Sequence, residues 1–405
     1  MLCRVNAVLQ ATASASVSCA DVKRCGDRPA RLVIRTVVAL AGLLVLSACD
    51  MPPMDSTQQG FRGTGMVEID NPEDIEAIAA ANQAPEPLPL AMATPGLKAA
   101  DVYENVQVLG DLTVAEFISQ MSALVQWVAP EEGCTYCHAA NNLAADDKYT
   151  KVVARRMLQM TKQINAEWKS HVADTGVTCY TCHRGKPVPA YYWYEGHELP
   201  DTKGLAASRM GQNLASPSVG YSSLPYEPFS ALIYAANGEV NVASDTALPV
   251  QPMRSMGATE TTYALMMHMS ESLGVNCTYC HNSQAFSQWG LSNPARATAW
   301  HGIRMARDIN REYMTPLQPV YPANRLGPTG DAPKLNCSTC HQGVAKPLYG
   351  VSMVGQYPAL SAMFDDSSSL HDSMLAFINS DDHAPAPTST VPAALPNDPN
   401  MTVAK

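Results

Sequence analysis

Three stretches of the chain repeat apolar side chains at helical spacing. In the first, 111–128, Phe117, Met121, Leu124, Val125 and Val128 share one face, and Thr113 followed three residues later by Glu116 is a capping box that starts a helix. From Lys151 the stripe is Val153, Met157, Met160, Ile164 and Trp168, and a third helix is expected from about Glu260 to Leu273. Each stretch runs on into a CxxCH motif, so the local unit reads helix, loop, motif. Strand signals are sparse, and the pattern predicts a mainly α, loop-rich fold. Residues 50–100 are rich in Pro, Ala and polar side chains without a sustained period and read as extended, lying along a partner or along the rest of the chain. The tail from Asp381 has the same look and reads as disordered.

The pattern also repeats over a longer range. MSALVQWVAPEEGCTYCH at 121–138 pairs with MHMSESLGVNCTYCH at 267–281 and its preceding Met266 after a two-residue gap, RMLQMTKQIN at 156–165 resembles GIRMARDIN at 302–310, and HRGKP at 183–187 echoes HQGVAKP at 341–347. The centre of the chain is therefore two copies of one module, each with two CxxCH motifs.

Composition sharpens this. Aromatic residues make up only 7% of the 405 residues, and of the 12 cysteines every one that follows Cys49 belongs to a CxxC pair. The first 48 residues hold six basic and two acidic side chains and end in the uncharged run 36–48, a secretion signal whose apolar run is too short to span a bilayer. Leu46, Ser47, Ala48 and Cys49 resemble a lipobox, in which the cysteine is lipidated and becomes the mature N-terminus. The chain that remains would hold 21 basic and 35 acidic residues, of 27 and 37 in all. That balance makes nucleic acid an unsuitable partner and suits a basic soluble protein.

A CxxCH motif is the signature of c-type haem attachment: two cysteine sulfurs add to the haem vinyl groups and the histidine reaches the iron. Composition predicts about 0.01 chance occurrences in a chain of this kind, and four are present. A zinc site gives no reason for a histidine after every second cysteine, and a thioredoxin-like site needs one pair only. The expected attachments are Cys134 and Cys137 with His138, Cys179 and Cys182 with His183, Cys277 and Cys280 with His281, and Cys337 and Cys340 with His341. The fold class becomes a mainly α, loop-rich multihaem cytochrome of two pseudo-repeated modules, each binding two c-type haems, with haem filling much of the core. Its expected organisation is a signal at 1–48, an extended segment at 49–110, a first dihaem module at 111–200, a connector at 201–255, a second module at 256–350 and an extension at 351–405.

The second axial ligand decides whether such an iron carries electrons or takes substrate. Met121, Met157 and Met266 sit on three comparable helices 17, 26 and 15 residues before His138, His183 and His281. Met160, Met267 and Met269 face differently. The fourth motif has no equal: in the repeat Gly302 falls opposite Met157, and Met305 opposite Met160. His171 is a further candidate, held off the iron of Met157 because 14 residues of continuous helix span about 21 Å. His197, His268, His301, His371 and His383 read as surface or packing histidines.

At this point the residues resemble a family, the tetrahaem cytochrome c subunit of the photosynthetic reaction centre of purple bacteria. The carriers are Cys49, QGFRG at 59–63, EEGCTYCH, VVARRM, HVADTGVTCYTCHRG, ALMM, SLGVNCTYCHN, ATAWHGIRM and CHQGVAKPL. The resemblance implies three His/Met haems using Met121, Met157 and Met266, and one His/His haem using His171. It further implies a near-linear haem row that is reduced by a soluble cytochrome or high-potential iron-sulfur protein and re-reduces the photo-oxidised bacteriochlorophyll pair, a non-enzymatic role at the periplasmic face of the membrane. The haem at Cys277 and Cys280 would lie nearest that pair, with Arg296 beside it. A freestanding periplasmic carrier, a multihaem reductase and a quinol dehydrogenase are the rival readings from ligand chemistry alone.

Overall fold

The computed structural model describes residues 54–59, 66–88, 96–196, 216–240 and 256–361. Cys49, His197, His371, His383, the leader and the tail from Asp381 lie outside them. All described residues belong to one compact unit, 53–405.

Within the segment expected to be extended, the described residues include a hairpin and a helix. Strands β1 (Asp55–Gln59) and β2 (Met66–Asp70) form an antiparallel hairpin, with Ser56 opposite Ile69 and Gln58 opposite Val67, and helix α1 (Pro72–Ala81) follows. The start of α1 has a local cause. The Asn71 side chain accepts the Glu73 N–H, Pro72 presets the first helical φ, and Glu73 and Asp74 face the positive end of the helix dipole. That N-terminal signature outweighs the lack of an apolar stripe. At the other end buried Asn82 donates to the carbonyls of Ile78 and Gln342, which ties α1 to the fourth motif.

The repeat is visible in three dimensions. Helix α2 (Val114–Val128) opens on the expected capping box: Thr113 Oγ1 accepts the Glu116 N–H, and Glu116 Oε2 accepts the Thr113 N–H. Helix α3 (Tyr149–Glu167) ends at Trp168, and the single turn α4 (Lys169–Val172) follows, so the helix assumed continuous to His171 is broken. Then comes α5 (Cys179–His183), the second motif itself. The second copy runs α6 (Met256–Leu273), α7 (Ala295–Ile309) and α8 (Cys337–His341). Helix α5 packs on α2, α8 packs on α6, and α5 packs on α8. The same bond closes each copy: Gly185 N–H donates to the Trp127 carbonyl, 2.9 Å, and Gly343 N–H to the Ser272 carbonyl, 2.8 Å, at repeat-equivalent positions. The short strands β3 (Tyr192–Trp193) and β4 (Lys334–Leu335) pair antiparallel and link the copies.

The buried faces are not the stripes that the apolar pattern marks. On α2 the buried residues are Gln120, Ala123 and Trp127, while Met121, Leu124 and Val128 are half-buried. Small Ala123 lets α5 approach closely, and Trp127, 1% exposed, stacks edge-on against Tyr357 at 4.7 Å. On α3 the buried set includes Lys151, Arg155 and Lys162. Charge is tolerated there because Lys151 donates to the carbonyls of Leu143, Ala144 and Ala145 and Arg155 grips both oxygens of Asp146, fastening the loop after the first motif. From the connector, Phe229, Leu232 and Ile233 enter the main core with Trp193, Leu265 and Ile309.

Candidate haem centre

The four motifs fold in two ways. The first and third are tight 3₁₀ turns, Gly133–Tyr136 and Cys277–Tyr279. The second and fourth are helical turns with capping boxes, Thr178 with Thr181 and Asn336 with Thr339, each ending in a left-handed residue, Arg184 or Gln342, before a glycine. Each module thus holds one motif of each kind, ordered alike.

All four motif histidines present the same atoms. Their Nδ1 atoms lie 2.8–3.0 Å from the backbone carbonyls of Leu143, Lys186, Phe286 and Val344 for His138, His183, His281 and His341. A carbonyl only accepts, so Nδ1 carries the proton and the lone pair of the neutral ring sits on Nε2. This is the arrangement by which a metal-ligating histidine is oriented from behind. Burial, the largest cause, holds His183, His281 and His341 below the ordinary imidazole range, His341 at about 4, so these rings are in the ligating form at neutral pH. Burial likewise pushes the thiols of Cys179 and Cys337 up to about 12 and of Cys137 and Cys280 to about 11.

A cleft of about 130 Å³ lies against the second motif. Its wall includes Cys179 and His183, Cys137 of the first motif, Met157, Leu124 and Val128. Two residues of the α2 stripe, Leu124 and Val128, thus line the cleft, while Phe117 and Met121 pack against the core cluster of Ala123 and Trp127. Met157 and His183 line the same cleft, while Met121 and Met266 stand half-buried at the edges of two core clusters.

His171 is set beside the fourth motif. Its ring centroid lies 6.0 Å from that of His341, and its Nδ1 donates to the Thr298 carbonyl at 2.9 Å, so it too offers Nε2. His268 is different: it is buried, its Nδ1 donates to the Ser218 carbonyl at 2.9 Å, its Nε2 lies 3.2 Å from Ser272 Oγ, and its ring packs edge-on against Phe229. The His301 ring stands edge-on to Trp300. Arg296 lies over Trp289 at 4.0 Å, donates to Ser292 Oγ and is electrostatically coupled to Cys280, which puts it near the third motif.

Two features escaped the sequence reading. Cys182 and Cys340 are disulfide-bonded, with Cα atoms 4.3 Å apart, so the second and fourth motifs are neighbours; thioethers at both sulfurs require that bond to be open. Arg184, between the same motifs, donates from Nη2 to Asn82 Oδ1 and the Cys340 carbonyl, while its buried Nε and Nη1 have no partner among the described residues. Burial lowers its pKa to about 10. An anionic group such as a haem propionate is the chemistry those two N–H groups lack. The apolar cleft, the oriented rings and the unsatisfied guanidinium all fit haem.

Paired cysteines ahead of rings oriented in this way define a c-type cytochrome, with haem iron bound covalently through the porphyrin. The match to known proteins is specific. Residues 50–361 match the family model of the photosynthetic reaction centre cytochrome c subunit, and the chain belongs to that family. It is 51% identical over 324 residues to the photosynthetic reaction center cytochrome c subunit of Rubrivivax gelatinosus, covering 80% of this chain and 88% of that one. The subunits of the same name from Thermochromatium tepidum and Roseobacter denitrificans are 47% and 40% identical, each over 82% of this chain and over 80% and 93% of their own.

Proposed function

We propose that this chain binds four c-type haems, one per motif, and relays electrons from a soluble periplasmic cytochrome or high-potential iron-sulfur protein to the photo-oxidised bacteriochlorophyll pair of a reaction-centre core. The observation that carries the reading is the repeated donor set, four CxxCH histidines each fixed through Nδ1 to a backbone carbonyl. A bound haem supplies an iron that exchanges one electron without a proton or a bond changing partner.

The chain's own residues set the rest. Rings held from behind would reorganise little on electron transfer, and Met121, Met157, Met266 and His171 would supply the second ligands, leaving no position open to a substrate. A methionine ligand raises the potential and a second histidine lowers it, which gives unlike sites along the row. Family membership supports the core as partner, the lipobox at Cys49 supports a lipid anchor at the periplasmic face, and the acidic balance supports a basic donor. Among the described residues no helix is long and apolar enough to cross a membrane.

The test is flash-induced oxidation in membranes combined with a pyridine haemochrome count. Four haems per chain, with haem oxidised after the pigment pair, are expected. Fewer haems, or carbon monoxide binding readily to the native reduced protein, would overturn the reading.

A further inference from the structure

Gly302 lies within α7, where the repeat places it opposite Met157 of α3. A side chain there would collide with one particular group. A Cβ built on Gly302 lies 2.5 Å from Cε1, 2.8 Å from Nδ1 and 3.1 Å from Nε2 of His171. The imidazole of the first module fills the space in which the second module's helix would carry a side chain. One turn back on the same face of α7, the Thr298 carbonyl accepts the His171 Nδ1 proton at 2.9 Å, and the His341 ring centroid is 6.0 Å away.

We propose that Gly302 is the positioning residue that selects the second axial ligand at the fourth motif. By carrying no side chain it withholds a ligand from the module's own helix and admits His171 from the other module to the iron of His341. The inference rests on the haem reading above. It explains why the two modules, alike in capping boxes, turns and closing bonds, differ at this one register position. Glycine within a helix is unfavourable relative to alanine, so its presence calls for a local reason, and the contact with the imidazole supplies one.

The test is Gly302→Ala in the full-length, haem-loaded chain. Alanine is the better helix former, so the helix itself gains. The ring of His171 must move, because 2.5 Å is shorter than any non-bonded carbon–carbon contact. Expected are loss of the bis-histidine low-spin signature of one haem in electron paramagnetic resonance, a change in one of four midpoint potentials, and one equivalent of carbon monoxide bound per reduced chain where the parent binds none. His171→Ala should give the same three changes, and the double variant should be no worse than His171→Ala alone, since the glycine acts through the ring. In the background His171→Ala, Gly302→Met should restore a closed iron and add a methionine-to-iron absorption band.

An unchanged axial signature and unchanged potentials in Gly302→Ala would overturn the proposal, whether or not the melting temperature moves. So would a double variant with further losses. Failure of the haem reading is separately visible, as a parent protein with fewer than four haemochromes.

Discussion

At the residue scale the cleft gives Met157 a task that its place on an apolar stripe does not. It faces the same space as His183, whereas buried Leu158 beside it only packs. Met157→Leu keeps the volume and removes the sulfur, so one midpoint potential should fall by on the order of 0.1 V, within the roughly 0.8 V that axial ligands span, while four haems stay attached. Potentiometric titration reads both outcomes; four unmoved potentials would reduce Met157 to packing. Much at this scale was legible. The CxxCH spacing names the cysteines and histidines because thioether and ligand chemistry fix it locally. His171 needed more, since its partner lies 170 residues away and only folding shows the gap at Gly302. Arg184 gave no signal at all, because an arginine after CxxCH looks like any surface cation until its neighbours are known.

At the element scale the loop after the first motif depends on charge. Burial alone would raise the Asp146 carboxyl, but hydrogen bonds from Arg155 and Lys151 outweigh it and leave it below the usual range. A lowered folded-state value means that this stabilisation is complete above the ordinary aspartate pKa of about 4 and is lost as pH falls through the lowered value. Asp146→Asn should therefore flatten the acid limb of a melting-temperature profile and cost about 2 kcal/mol near neutral pH, because Lys151 and Arg155 lose their counter-charge. An acid limb unchanged from the parent would remove Asp146 from that role. Gly274, at φ +60°, tests the docking of α6 on the fourth motif: a Cβ there would stand 2.1 Å from the Gly343 carbonyl oxygen. Gly274→Ala should cost about 3 kcal/mol or more, left-handed strain plus a forced backbone shift, measured by chemical denaturation. Helix positions were readable from capping boxes and periodicity. Which face is buried was not, because Leu124 and Val128 of the α2 stripe line the cleft, and buried Lys151 and Arg155 paired with Asp146 are invisible to hydropathy. The hairpin and α1 were missed for a related reason: the Asn-Pro-Glu-Asp signature is stronger evidence than a stripe that α1 hardly has.

For the whole molecule the excess of 37 acidic over 27 basic residues predicts the kinetics of encounter. Reduction of the chain by a basic soluble donor should slow several-fold as ionic strength rises from about 10 mM to 0.5 M, as the Debye length contracts from roughly 30 Å to a few ångströms. A rate indifferent to salt in stopped-flow measurements would assign the charge to solubility alone. Duplication was plain in the sequence, and the paired closing bonds at Gly185 and Gly343 are its structural trace. The contact of His171 with α7 shows that duplication did not leave two independent halves. On the ligand assignment proposed above, severing the chain at the connector would leave the amino-terminal piece with both of its second ligands and the carboxy-terminal piece with one iron lacking its own. Neither fragment could be exchanged for a second copy of the other, because each half has come to lend the other a part: His171 beside the fourth motif, and Tyr321, Pro333 and Leu335 in the wall of the cleft at the second.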